Sequence, residues 1–422
     1  MLKHSFWRTM VAIVLALAVT ACGGGAGSSA PAPSGFTVTP GNGQAIITWD
    51  ASPGVQYWLM YAPTASPIDI KNPPSNHAWA TNNLSSPYVI TGLLNGVTYS
   101  FAMNARTDGG KGGDQTASKS VMPGYAGTTW IAGTATLGTN DMRGIAYGTA
   151  SDATVNYVAF GAGGAIYKGL EGVSQSLVGM GWSTVTPGTP LTTNFKAATY
   201  AFSKFIAIGA DGGVNNIVSS ANLTTWTAAT WTPAGANLNA LAANATTLVA
   251  VGNGGVAFST TDGVNWNPVA TGVVADLYGL TYSATGLWVA VGAGGTVITS
   301  TDLATWTPHT SNAGGNDLNG VAANISGVLV AVGNNGTKIR STDGQTWVAQ
   351  TPSSGAHLYA VSTDSAQFLA VGAAGAVFTS LDGSAWNTIS QSSTTSDLMA
   401  IAGTTSKYMV IGKSGANISS IH

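Results

Sequence analysis

The sequence predicts an all-β protein: a β-sandwich followed by a seven-bladed β-propeller. Three observations carry the prediction. The 422-residue chain is only 7% charged, where an ordinary soluble domain has about 25%, and it holds 56 glycines. A glycine turn recurs along most of its length, and a Ser/Thr-x-Asp…Trp signature follows each strong copy of that turn. A polar but uncharged surface of Thr, Ser, Asn and Gly fits a secreted β-rich protein. The net charge of −2 provides no basic field for a nucleic-acid backbone, which excludes that partner.

Residues 1–21 read as an export signal. Lys3 and Arg8 precede an apolar run from Met10 to Ala21, too short to span a bilayer as a helix and followed by small residues. Cys22 is the only cysteine, so an intrachain disulfide is ruled out. The break Val19-Thr20-Ala21-Cys22 resembles a bacterial lipobox. That resemblance implies cleavage before Cys22, lipidation of Cys22 and attachment to the membrane by its acyl chains, anchored rather than spanning. Gly23 after the cysteine, by the sorting rule of proteobacterial lipoproteins, implies the outer membrane, on its periplasmic or cell-surface face. Residues 22–35, rich in Gly, Ser, Ala and Pro, read as a flexible tether.

Residues 36–123 read as short strands between turns. Ala45–Trp49 and Tyr57–Tyr61 are two of them, and Tyr99, Phe101, Met103 and Ala105 share one face of a third at period two. Leu93, Gly96 and Tyr99, with Trp49 as core tryptophan, resemble a fibronectin type III module. The resemblance implies a tyrosine corner at Tyr99 and a role as spacer or accessory binding domain.

Residues 124–422 are a repeat. The first glycines of the turns stand at 161, 209, 252, 292, 333, 372 and 412, a period of about 40 residues typical of propeller blades. The second signature holds Asp262 and Trp266, Asp302 and Trp306, Asp343 and Trp347, and Asp382 and Trp386, with Asn222 replacing Asp before Trp226. These resemble Asp-box (BNR) repeats with one residue fewer between Asp and Trp. The aspartates are expected to close turns by accepting backbone N–H groups, and the tryptophans to pack between blades. A calcium-ligand reading is the lesser alternative, because each box supplies one carboxylate. The last glycine turn has no tryptophan strand after it, whereas an orphan one, Thr128–Ile131, opens the repeat region. Closure of the ring by that strand gives seven blades, with six or eight as the alternatives because the spacing is irregular over 130–210.

The Asp-box resemblance raises sialidase-type glycosidases, which hold their substrate with three arginines and use a Tyr nucleophile assisted by Glu. The repeat region contains only Arg143 and Arg340, and its one glutamate is Glu171. His309 and His357 lie in different repeats without metal-ligand spacing. No catalytic residue, metal or cofactor is therefore expected. The alternative is a carbohydrate-active enzyme of sialidase-like fold.

One aligned set points to a binding rim. Asp141, Asn194, Asn237, Asp276, Asp317, His357 and Asp397 precede the inner strands; Arg143, Lys196, Asn239, Tyr278, Asn319, Tyr359 and Met399 follow two residues later. Equivalent blades would place each set in a ring at one end of the channel. The polar set reads first as turn caps; the variable set reads as the specificity surface, with Tyr278 and Tyr359 able to stack a sugar or a side chain. The repeats also resemble those of photosystem II assembly factors, which implies a protein partner. The expected function is a non-catalytic, envelope-anchored scaffold that recognises a protein or glycan.

Overall fold

The computed structural model describes residues 28–41, 43–81, 84–95, 97–124, 129–133, 137–170, 181–210, 217–229, 236–352, 354–363, 367–390, 393–403 and 407–421. The export signal, Cys22, Gly96, Thr128 and Glu171 lie outside the described residues. The chain divides into two compact units, the larger of which contains 121–422.

Between Ser29 and Val121 the strands form two sheets. In one, Tyr99–Thr107 lies between Ser29–Ala30 and Val55–Ala62, Ala78–Ala80 follows at the edge, and Lys119–Val121 also pairs with Tyr99–Thr107. Its central pair runs antiparallel from Val55 opposite Thr107 to Ala62 opposite Ser100. Trp49 packs 5.3 Å from Tyr57, and Tyr61 stacks on Phe101 at 5.8 Å between centroids. The other sheet has the order Thr37–Gly41, Gln44–Thr48, Tyr88–Thr91.

From Thr129 onward the described residues form seven four-stranded antiparallel sheets, numbered here as blades 1 to 7. Their inner strands are Met142–Thr149, Asn194–Ala201, Leu238–Ala243, Leu277–Tyr282, Leu318–Ala323, Leu358–Thr363 and Leu398–Gly403. Each inner strand neighbours the next, and the seventh neighbours the first, so the ring is closed. Small residues allow this proximity: a Cβ on Gly279 would meet the backbone of Gly320, and one on Gly144 the backbone of Ala197.

The second strands, such as Leu248–Gly252, Leu329–Gly333 and Phe368–Gly372, are buried along their whole length. Neighbouring blades cover both of their faces, which is why they read as unbroken apolar runs. Blade 7 consists of Leu398–Gly403, Lys407–Gly412, Asn417–Ile421 and, as its outer strand, Thr129–Ala132. Ser420 faces Trp130, and Ile418 faces Ala132. The architecture is a propeller closed by a strand from the opposite end of the repeat region.

Candidate functional site

The glycine turn is the unit from which the site is built. In six blades the second strand ends in glycine and enters a tight turn, such as Asn253–Gly255, Ala293–Gly295 or Ala373–Gly375. A Cβ on Gly252, Gly292, Gly333, Gly372 or Gly412 would overlap the carbonyl oxygen of Asn237, Asp276, Asp317, His357 or Asp397 in the same blade. With glycine there, that carbonyl accepts the N–H of the next residue: Ala293 donates to Asp276 O at 2.9 Å and Ala373 to His357 O at 2.8 Å.

The side chains of the same polar residues reach the other way, to the turn of the preceding blade. Gly254 N donates to Asp276 Oδ1 at 2.7 Å, Gly294 N to Asp317 Oδ1 at 2.8 Å and Ala374 N to Asp397 Oδ1 at 3.0 Å. Gly163 N donates to Asn194 Oδ1 at 2.7 Å, Ser414 N to Asp141 Oδ1 at 3.3 Å, and Asn335 N approaches His357 Nδ1 at 3.4 Å. The turn that Asn237 would reach, 211–216, lies outside the described residues. Sequence reasoning placed these residues as caps of their own loops. The structure makes them staples between blades, because the inner strand starts beside its neighbour's turn.

One residue after each inner strand's first buried side chain, the register with the second strand slips. Met142 faces Gly161 but Gly144 faces Phe160, which leaves Arg143 as an extra residue. The same slip singles out Lys196, Asn239, Tyr278, Asn319, Tyr359 and Met399. A β-bulge re-aims the side chain it carries. All seven bulged residues line a polar cavity of about 320 Å³ at the channel mouth, joined by Asn253 and Asp276. Below it the channel narrows to about 170 Å³ among residues such as Gly144, Ala197, Gly279 and Ala360. The structure brings the variable set together at this mouth, with Asn253 and the bulges themselves not foreseen. Spacing shows equivalent positions and carries no mark of a bulge.

The electrostatics of the mouth are uneven. Arg143 lies 3.6 Å from Asp141 and Lys413 lies 2.6 Å from Asp397. The Lys413 ammonium, with the Ala374 N–H, holds the Asp397 carboxyl below its ordinary range. Lys196 Nζ donates to Asn239 Oδ1 at 3.0 Å, and Asn319 Nδ2 bridges Asn334 Oδ1 and Leu358 O at 3.0 and 2.8 Å. Burial, followed by the charges of Asp276 and Asp317, pushes the Tyr278 hydroxyl above its usual pKa.

None of the Asp-box residues lines the mouth. Asp262, Asp302, Asp343 and Asp382 each accept two consecutive backbone N–H groups, for example Gln345 and Thr346 on Asp343 at 2.8 and 2.7 Å. Those bonds lower the pKa of Asp343 to about 2. The residue after Asp is left-handed whether it is Gly263, Gly344 or Gly383 or instead Leu303 at φ 63°. Trp266, Trp306 and Trp347 are buried in clusters shared with the preceding blade, and Trp386 packs half-buried against another. Among the described residues no three His, Cys, Asp or Glu side chains are grouped to hold a metal ion.

No protein-family model matches the chain, and no curated protein matches it in sequence. Solved structures do match it in shape. YCF48 bound to a D1 peptide is 15% identical, with a TM-score of 0.54 over 70% of this chain and 94% of that one. A virginiamycin B lyase from Staphylococcus aureus is 10% identical, with a TM-score of 0.57 over 70% and 98%. The WD40 β-propeller domain of Doa1 is 12% identical, with a TM-score of 0.52 over 69% and 95%. The likeness is one of fold alone. That fold is the β-propeller.

Proposed function

We propose that the protein is a non-catalytic, envelope-anchored lipoprotein that recognises a protein or glycan through the mouth of its propeller. The observation that carries the reading is the set of seven bulges, which turn seven side chains of five chemical types into one polar cavity. A purely architectural ring would have no need to vary that one position while keeping its neighbours alike. The carboxylates around the mouth hold backbone N–H groups and cations, which supports binding over hydrolysis. The fold neighbour solved with a D1 peptide supports a protein ligand.

The lipobox-like break before Cys22 supports the anchor and the outer membrane. Leu93, Tyr99 and Trp49 support a fibronectin type III-like spacer over 36–123, and the Asp…Trp signature supports Asp-box repeats in 124–422. The test is an array of peptides and oligosaccharides probed with the full-length chain in detergent. Tyr278→Ala with Tyr359→Ala should sharply weaken the retained signal; unchanged retention overturns the site. Turnover of any member of a fluorogenic glycoside panel would overturn the non-catalytic reading. Protease shaving of intact cells tests the face: loss of the propeller places it outside, and protection until permeabilisation places it in the periplasm.

A further inference from the structure

The mouth is a dipole, and its two poles differ in how far their charges are already matched. Arg143 and Lys196 project from adjacent blades 1 and 2, with Lys413 on the turn of blade 7. Across the ring, blades 4 to 6 present Tyr278, Asn319 and Tyr359. On the cationic side the carboxylates Asp141 and Asp397 are in ion pairs with Arg143 and Lys413. On the other side, among the described residues, Asp276 accepts from Gly254 N and the Tyr278 hydroxyl, and Asp317 from Gly294 N and Asn334 Nδ2. All four donors are neutral, and among the described residues neither aspartate is in an ion pair. Two carboxylates without a cationic partner therefore stand behind the tyrosine flank.

The chemistry of each pole follows. A tyrosine face backed by a carboxylate attracts an ammonium or guanidinium group. Arg143 has five donors in a planar fork, and its long contact with Asp141 leaves geometry for a second carboxylate. The cavity of about 320 Å³ has the size of a site for a small ligand or a short chain segment, and cannot take a globular surface. A neutral sugar would use the tyrosines and leave Asp276 and Asp317 without a counter-charge.

We propose that the mouth recognises a peptide segment carrying one acidic and one basic side chain close together. The acidic group lies on Arg143 and Lys196; the basic group lies between Tyr278 and Tyr359 in the field of Asp276 and Asp317. This assignment rests on the mouth being the binding site. It makes the ligand a protein, read through a charged pair of side chains.

The experiment uses the full-length chain in detergent and capped hexapeptides that hold Glu and Lys separated by one to three glycines. Controls replace Glu or Lys by Gln, and neutral oligosaccharides share the array. Peptides with both charges should bind at least about tenfold tighter than either Gln control. Arg143→Gln, and separately Lys196→Gln, should erase the preference for Glu and keep that for Lys. The Tyr278→Ala, Tyr359→Ala pair should do the reverse, with melting curves confirming that each variant is folded. Oligosaccharides or neutral peptides bound equally well, and lost in the tyrosine variant, would overturn the charge assignment and leave the mouth as the site. Binding indifferent to every mouth substitution would overturn both, and failure to retain any charged peptide overturns the proposal.

Discussion

Asn222 holds, in blade 2, the place that Asp262, Asp302, Asp343 and Asp382 hold elsewhere, and its Oδ1 accepts Thr224 N and Thr225 N at 3.0 and 2.8 Å. The turn thus needs an acceptor and does not need a charge. Asp343→Asn should leave the melting temperature nearly unchanged at pH 7, whereas Asp343→Ala should cost about 1 kcal/mol, the usual loss of a side-chain cap. The carboxylate's lowered pKa, about 2, means its contribution is complete above the ordinary value of about 4 and fades as pH falls toward 2. The Asn variant should lose that part of the acid sensitivity in a pH-resolved thermal melt. Lys338 is the opposite kind of residue. It is 1% exposed, sits over the Phe378 ring at 4.7 Å, and occupies a register place that blades 3, 4 and 6 fill with Ala257, Val297 and Val377. Burial lowers its pKa, so the unfolded chain binds the proton more tightly and the cost is fully present below the folded pKa. Lys338→Met should raise the melting temperature at pH 7, and its advantage should shrink as pH rises toward about 10.

At the scale of the element, the glycine turn has two left-handed residues with different tolerances. The first is Gly254 in blade 3 but Asn335, Ala374 and Ser414 in blades 5, 6 and 7, at φ 52° to 56°, and a Cβ on Gly254 meets nothing within 4 Å. The second is glycine in every described turn, and a Cβ on Gly255 would overlap the carbonyl of Val273. Gly254→Ala should cost about 1 kcal/mol and Gly255→Ala about 3 kcal/mol, read from chemical denaturation. These constraints explain what was legible beforehand. Glycines forced by a nearby carbonyl recur at fixed spacing, so the repeat could be read from residue order, and the seven mouth residues could be aligned from it. The bulge that aims them is a mismatch between two strands and leaves no mark in either. The staple from Asp276 to Gly254 links two blades, and residue order says nothing about which neighbour's turn lies within reach.

For the molecule as a whole, stability depends on seven blade interfaces, each with its own tryptophan. Trp226 packs against Phe160 at 5.7 Å, and Trp130 packs against the cluster between blades 6 and 7 that holds Leu369, Leu398, Tyr408 and Val410. Trp130→Ala should therefore destabilise the ring by about 3 kcal/mol, seen as a lower midpoint of thermal unfolding, although Trp130 stands far from its partners in sequence. The pairing of Ser420 with Trp130 has a further consequence for the newborn chain. Its closing strand is synthesised first among the blades but has no third-strand partner until Asn417–Ile421 has been made. A chain cut before Asn417 offers that strand no third-strand partner, so its last blade stays open. The ring is thus shut only by segments from opposite ends of the repeat region, and losing either one leaves its last blade incomplete.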